Sequence, residues 1–302
     1  MKRVLITGAS RRGFVGRNLK EALDQQYELF TPTHAELELL DTDQVARYIE
    51  RNRIEAIVHG AVHVPEFNGL DNEFYNDMLM FWNLERLSGY VDKILYFGSG
   101  AEFDKRSHIR MAKETEIPNV LPVSQYGLAK YTMNRIAQAS GNIYNLRLFG
   151  IFGKYELWQI KFISNLCCKA VFDIPLSVRS ECMFDFLYVE DLPAIVTWFL
   201  ENKPAYHDYN ICHGMPYALT KLAEMVREIS GKPLPIHLKS QQRNLDYTGD
   251  NTRLRSEIKD LHITPMDRAI AELYTYYQRH RDLIDPEKLK IDMKAKDLIG
   301  ME

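Results

Sequence analysis

The segment RVLITGASRRGFVG, from Arg3 to Gly16, restricts the fold more than any other stretch of the chain. A short aliphatic run ends at a glycine-rich loop, and the loop opens directly into helical spacing. A strand that is apolar on both faces belongs inside a sheet covered on both sides. The same alternation then repeats. YELFTP, EAIVHGA and KILYFGS are short β-rich runs closed by Gly, Pro or polar clusters. Helical patterns lie between them over Val15–Asp24, Thr42–Arg51 and Phe74–Tyr90, with Asp41 or Thr42 as the cap of the second. A further helix is expected over Tyr126–Ser140, then a strand through NIYNLRLF. The pattern predicts a doubly wound parallel α/β sheet.

Beyond Gly153 the alternation loosens. Helical segments near Ile160–Val171, Leu192–Glu201 and Leu219–Ile229 are separated by IPLSV, YNICHG and GKPLPIHL. A smaller mixed C-terminal lobe is expected. The division reads as 1–152, with part of 180–212, for the sheet domain, and 153–179 with 213–302 for the lobe. From Asp285 the charged tail reads as a peripheral helix or a frayed end.

The loop glycines are Gly8, Gly13 and Gly16. A loop that follows a strand and opens a helix is the context a dinucleotide fingerprint requires. Gly8 would permit the tight turn, Gly13 the approach of a pyrophosphate, and Gly16 the packing of helix on strand. The helix N-terminus would hold the anion. Two extra residues separate Gly8 from Gly13 compared with the G-x-x-G-x-x-G spacing. Arg11 and Arg12 fall in this stretch, either as solvated loop residues or as a clamp for a 2′-phosphate, since guanidinium suits bidentate phosphate contact. The second strand ends in Thr31, Pro32, Thr33 and His34, with no carboxylate to bind ribose hydroxyls. The balance favours NADP over NAD. Glu28, earlier in that strand, keeps NAD open.

SQYGLAKY places Tyr126 and Lys130 four residues apart, on one helical face. An isolated phenol has a pKa of about 10, too high for ready proton transfer at neutral pH, and a nearby ammonium lowers it. Ser99, in YFGSGAEF, ends the fourth strand, at the edge where α/β sheets bind ligands. Its hydroxyl can hydrogen-bond a substrate carbonyl beside the tyrosine. Glu102 reads as a structural carboxylate before a further acid–base group. His59 reads as packing, and His63 is a candidate to face the site.

These segments together resemble the extended short-chain dehydrogenase/reductase family of nucleotide-sugar epimerases, dehydratases and ketoreductases. VLITGASRRGFVG resembles its glycine loop, AIVHGA its third-strand motif, YFGSGAEF and YGLAK its Ser and Tyr-Lys segments, and LRLFGIFGKYE the segment after the catalytic helix. FDFLYVEDL, YNICHG and DNTRLRSEI resemble its C-terminal landmarks. HAELELLDTDQVARYIERNRIEAIVH is similar to the NADP-dependent GDP-fucose synthases. The resemblance covers nearly the whole chain. It implies a Rossmann-type fold, a nucleotide-sugar substrate, a homodimer through the helices of Phe74–Tyr90 and Tyr126–Ser140, and catalysis by Ser99, Tyr126 and Lys130. It implies cofactor contacts at Gly8, Ser10, Arg11, Arg12, Gly13, Phe14, Val15, Leu39, Gly60, Ala61, Val62 and Phe149, besides Tyr126 and Lys130. Gly100 and Ala101 would line the substrate site.

The departures narrow the chemistry. Dehydratases of the family carry adjacent acid and base carboxylates where this chain has Ser99-Gly100-Ala101, so dehydration is not expected. GDP-fucose synthases carry a cysteine at the place of Ala101 and a histidine at the place of Lys161, so their double epimerisation is not expected either. Ketone reduction or a 4-epimerisation remains, and NADP favours reduction. A non-catalytic NADP-binding sensor is the reading from another class. The arginine and asparagine that usually contact the nucleotide are replaced by Phe184 and Gly150, leaving Lys161, Arg179 and Arg243 as candidate diphosphate contacts.

Composition sets the outer bounds. The net charge of -3 gives no general case for nucleic acid or an anionic membrane. Cys167, Cys168, Cys182 and Cys212 lack metal-ligand spacing and read as reduced, packed thiols, so no metal is expected. No charged leader or bilayer-length apolar run is seen, so a cytoplasmic protein is expected.

Overall fold

The computed structural model describes residues 1–63 and 72–291. Six parallel strands form the central sheet: β1 (Arg3–Thr7), β2 (Glu28–Phe30), β3 (Ala56–His59), β4 (Lys93–Ser99), β6 (Ile143–Leu148) and β11 (Asp208–Ile211), in the order β2-β1-β3-β4-β6-β11. The chain reverses its direction of winding between β1 and β3. Such a switch point opens a crevice at the carboxyl ends of the two strands. The glycine loop and Gly60 flank it.

Alternation along each strand feeds two cores. Val4 and Ile6 pack with Leu19 and Leu23 of α1 (Val15–Leu23) and with Leu192, Ile195 and Phe199 of α6 (Leu192–Glu201). Leu5 and Ile57 face the other way. There they meet α2 (Thr42–Asn52), α3 (Glu73–Glu85) and α4 (Gln125–Ala139) through Val45, Phe81 and Met133. Asp41, not Thr42, caps α2, accepting the Gln44 N–H at 2.9 Å. The single helix expected over Phe74–Tyr90 is broken: α3 ends at Glu85, and Ser88–Tyr90 forms a separate 3-10 turn at Ser88-Gly89, two poor helix formers.

A third core lies between α5 (Phe162–Val171), α7 (Leu219–Ser230) and α9 (Met266–Arg279), closed by the parallel pair β8 (Leu176–Ser180) and β13 (Ile236–Ser240). Cys167 and Cys168 are buried in it, and burial pushes both thiols well up, which makes them inert packing groups. Two small sheets bridge the halves: β7 (Gly150–Phe152) with β10 (Phe186–Tyr188), and β12 (Tyr217–Ala218), β9 (Met183–Phe184), β14 (Tyr247–Gly249) and β5 (Ile109–Ala112) in that order. The second carries Tyr247 towards the tip of β4. After the short α8 (Thr252–Glu257), the chain runs through α9 to α10 (Pro286–Lys290), which Asp285 caps. The expected peripheral tail is helical there, and 292–302 lie outside the described residues.

Candidate active site

The loop after β1 folds the three glycines against one another. Gly8 has φ +75°, and a Cβ there would lie 2.7 Å from the Gly60 carbonyl. A Cβ on Gly13 would strike the Gly8 carbonyl oxygen at 2.0 Å. The two additional residues do not disturb this contact. They are taken up in a turn closed by Gly13 N–H donating to Ser10 C=O at 2.8 Å, with Arg11 and Arg12 exposed on it. The first turn of α1 has no side-chain cap, which leaves its N–H groups without a capping acceptor, beside Gly13, Phe14 and Val15 of the cavity lining. Thr7 ties the switch point together. Its Oγ1 accepts the Gly60 and Ala61 N–H groups, each at 3.1 Å, and so gives its own proton to His59 Nδ1 at 2.8 Å. Burial lowers the His59 pKa to about 3 and keeps the ring neutral, so it is a packing group as its sequence context suggests.

A cavity of about 1180 Å³ runs from this loop across the sheet edge into the lobe. Gly8, Ser10, Arg12, Gly13, Phe14, Val15, Leu39, Gly60, Ala61, Val62, Ser99, Tyr126, Phe149 and Lys161 line it, as does His63. Lys130 lies behind Tyr126, with its ammonium 5.6 Å from the phenol ring centroid. Gly100 and Ala101 are buried behind Ser99. Arg11 is not part of the lining. Arg179 and Arg243 are also outside it: Arg179 is exposed on β8, and Arg243 is exposed and 3.9 Å from Asp246. Alternation on a lobe strand and a polar surface loop carry these two side chains away from the cleft. Glu28 is not in the lining either. It pairs with Arg3 at 3.1 Å. His34 and Glu38, 3.0 Å apart, border the cavity near the end of β2.

The candidate catalytic groups gather at the tip of β4. Ser99 is within hydrogen-bonding reach of Tyr126, and burial pushes the Tyr126 phenol up to about 12, against the lowering effect of that hydrogen bond. Burial lowers the Lys130 ammonium, while Asp77 and Glu102 pull it back up. Asp77 is a counter-ion that the sequence reading missed. It is buried on α3 and its Oδ1 accepts the His63 N–H at 2.6 Å. Glu102 is structural, as expected. Its carboxylate accepts the Ser99 N–H at 3.1 Å, both Asn145 contacts at 3.1 and 3.2 Å, and Arg147 Nε at 2.9 Å. Arg147 continues to Asn210 at 3.0 Å and Asp208 at 2.8 Å. This buried ion cluster lies directly under the strand end that presents Ser99.

In the lobe, Phe184 and Gly150 form one feature. A Cβ on Gly150 would come within 2.7 Å of both the Phe184 and Phe186 rings, which stack with centroids 4.5 Å apart. Glycine at 150 therefore allows an aromatic wall, and Tyr247 extends it at 5.0 Å from Phe184. Tyr247 was also missed. It lies three residues before the DNTRLRSEI landmark in a stretch without periodicity.

Residues 4–212 match the NAD dependent epimerase/dehydratase family. The chain belongs to that family. GDP-L-colitose synthase of Yersinia pseudotuberculosis is 23% identical over 76% of this chain and 82% of its own length. Among solved structures, a GDP-L-fucose synthetase from Naegleria fowleri bound to NADP superposes with a TM-score of 0.79, at 15% identity over 93% of this chain and 95% of that one. The GDP-mannoheptose C4 reductase of Campylobacter jejuni with NADP bound gives 0.77, at 17% identity over 92% and 98%. These likenesses establish the Rossmann-type fold anticipated from the strand–helix alternation.

Proposed function

We propose that the chain is an NADP-dependent reductase of a 4-keto group on a nucleotide-linked deoxysugar, with a GDP sugar as the substrate class. The observation that carries the reading is the composition of the β4 tip. Ser99 and Tyr126 line the cavity with Lys130 behind the phenol, and the neighbouring carboxylate, Glu102, is locked under the strand by Arg147. A hydroxyl, a phenol and an ammonium suit proton delivery to a carbonyl oxygen. Ala101 and Lys161 stand where the resemblance to GDP-fucose synthases would place a cysteine and a histidine, which supports reduction without epimerisation. The three relatives above share GDP in their names.

The glycine cradle, the uncapped N-terminus of α1 and the exposed Arg12 at the cavity edge fit a dinucleotide with a 2′-phosphate. When bound, the cofactor supplies the hydride. Tyr126, protonated at neutral pH, gives its proton to the developing alkoxide. Ser99 donates a hydrogen bond to the same oxygen. Lys130 holds positive charge behind the phenol and stabilises the tyrosinate left after transfer. The aromatic wall of Phe184, Phe186 and Tyr247 excludes water from the sugar side.

The test is NADPH consumption with a panel of 4-keto-6-deoxy sugar nucleotides, with product configuration read by NMR. Tyr126→Phe is expected to abolish turnover while NADPH still binds. Near-normal turnover by that variant would sink the mechanism. Purified protein that retains NAD and interconverts 4-hydroxy epimers without added cofactor would replace the reading with a 4-epimerase. NADPH binding without turnover of any keto sugar would point to a sensor.

A further inference from the structure

Tyr247 reaches the β4 tip from β14, almost 150 residues away in sequence from Ser99, and its hydroxyl lies 3.5 Å from Ser99 Oγ. Ser99 Oγ also accepts the Ala101 N–H at 3.2 Å. A serine hydroxyl has one proton to give and two lone pairs to fill. Ala101 N–H fills one lone pair. A Tyr247 O–H donated to the other would leave the Ser99 proton one direction, towards the cleft, where Tyr126 stands and a substrate carbonyl would stand during reaction.

We propose that Tyr247 is a positioning residue that donates to Ser99 and so compels Ser99 to act as a donor to the reacting oxygen. This rests on the ketoreductase reading above and extends it by one residue.

Three features support the assignment. Gly100 leaves room for the hydroxyl, since a Cβ there would fall 2.6 Å from the Tyr247 oxygen. The Lys105 ammonium lies 4.5 Å from the Tyr247 ring centroid, and a cation on the face of a phenol draws charge from the ring and strengthens its O–H as a donor. The strand around Tyr247 is clamped. Asp246 accepts Met183 N–H at 2.9 Å and Arg110 Nε at 2.7 Å, while Tyr247 pairs in register with both Ile109 and Phe184. The phenol therefore has little freedom to leave Ser99.

The test is a double-mutant cycle on the full-length protein with NADPH and the keto sugar nucleotide that the wild type accepts. Tyr247→Phe should lower kcat about tenfold, with the KM for NADPH unchanged. In a Ser99→Ala background the same change should cost less than about twofold, because the proton it orients is gone. Gly100→Ala, whose Cβ would meet the Tyr247 oxygen at 2.6 Å and its Cζ at 2.8 Å, should displace the phenol from Ser99 and reproduce the loss. It serves as the second probe if Tyr247→Phe does not fold. A second readout needs no turnover. The Tyr126 phenol, titrated by absorbance as the difference from a Tyr126→Phe protein, should move upward by about half a unit in Tyr247→Phe and stay still when Ser99 is also removed. Wild-type inactivity on every keto sugar removes the ketoreductase reading, and the phenol titration then decides the Tyr247–Ser99 coupling alone. A Tyr247→Phe effect that persists undiminished without Ser99, in either readout, overturns the proposal. So does a Tyr247→Phe protein with wild-type kcat and an unmoved phenol.

Discussion

Replacing Arg147 by methionine tests whether the ion cluster beneath Ser99 holds that strand end. Methionine roughly preserves the length and the apolar stem. It removes three charge-assisted bonds, at 2.9 Å to Glu102, 3.0 Å to Asn210 and 2.8 Å to Asp208, all inside the protein. Asp208 keeps Arg253 Nη1 at 2.6 Å, so its charge stays paired. Glu102 keeps only neutral donors, Asn145 and the Ser99 N–H, and becomes a buried charge with no cation hydrogen-bonded to it. Breaking such a pair costs about 3–5 kcal/mol. Adding Glu102→Gln removes the orphaned charge, and the loss should fall to about 1–3 kcal/mol, the scale of hydrogen bonds alone. The pH dependence has a definite sign. Burial already raises the Glu102 pKa, with Arg147 pulling it down, so removing Arg147 raises it further. A carboxyl whose folded pKa exceeds its unfolded value favours the folded state at low pH, and that advantage is lost as pH rises through the folded pKa. The penalty of Arg147→Met should thus shrink as pH falls towards about 5. Urea unfolding, followed by tryptophan fluorescence at several pH values, measures all three quantities. A loss below about 1 kcal/mol at neutral pH, or one that neither acid nor Glu102→Gln relieves, would refute the account of an orphaned carboxylate.

Arg12→Ala should weaken NADPH about tenfold to a hundredfold while leaving NADH nearly unaffected, as expected for loss of a charged phosphate contact. Ligand titration checks this, and equal losses for both cofactors would remove the 2′-phosphate role. Arg11→Ala, outside the cavity lining, should change neither by more than about twofold. For the pH profile, burial lifts Tyr126 to about 12, so the phenol is protonated throughout the neutral range. The Tyr126-dependent part of the reduction rate should stay flat to about pH 10 and fall only as pH approaches 12, whereas alcohol oxidation by the same enzyme should rise with pH. A reduction rate that falls through pH 7–8 in step with Tyr126 ionisation would contradict this.

The parts of the site visible in the sequence are those whose spacing is local. A turn around Gly8, a helix that opens at Gly13–Gly16, a hydroxyl that ends an apolar strand and a Tyr-x-x-x-Lys face are each specified by fewer than about a dozen consecutive residues. Their backbone rules hold wherever the chain places them. The two-residue expansion of the loop was also visible, but its consequence was not. The sequence treats Arg11 and Arg12 alike. The Ser10–Gly13 turn brings Arg12 to the cavity edge and leaves Arg11 outside its lining.

By itself, the amino-acid sequence determined the strand–helix alternation of the first half, the glycine-rich turn and the candidate trio Ser99, Tyr126 and Lys130, because short-range periodicity and backbone freedom are written in neighbouring residues. Only the tertiary structure decided what surrounds that trio. Asp77 stands beside Lys130 because α3 packs on α4, and Arg147 anchors Glu102 because β6 lies next to β4. Tyr247 meets Ser99 because β14 joins a sheet with β5 and β9. Gly150 and Phe184, separate oddities in the sequence, become one aromatic wall where β7 and β10 run side by side. Contacts of this kind depend on where distant segments cross, and no local pattern encodes a crossing.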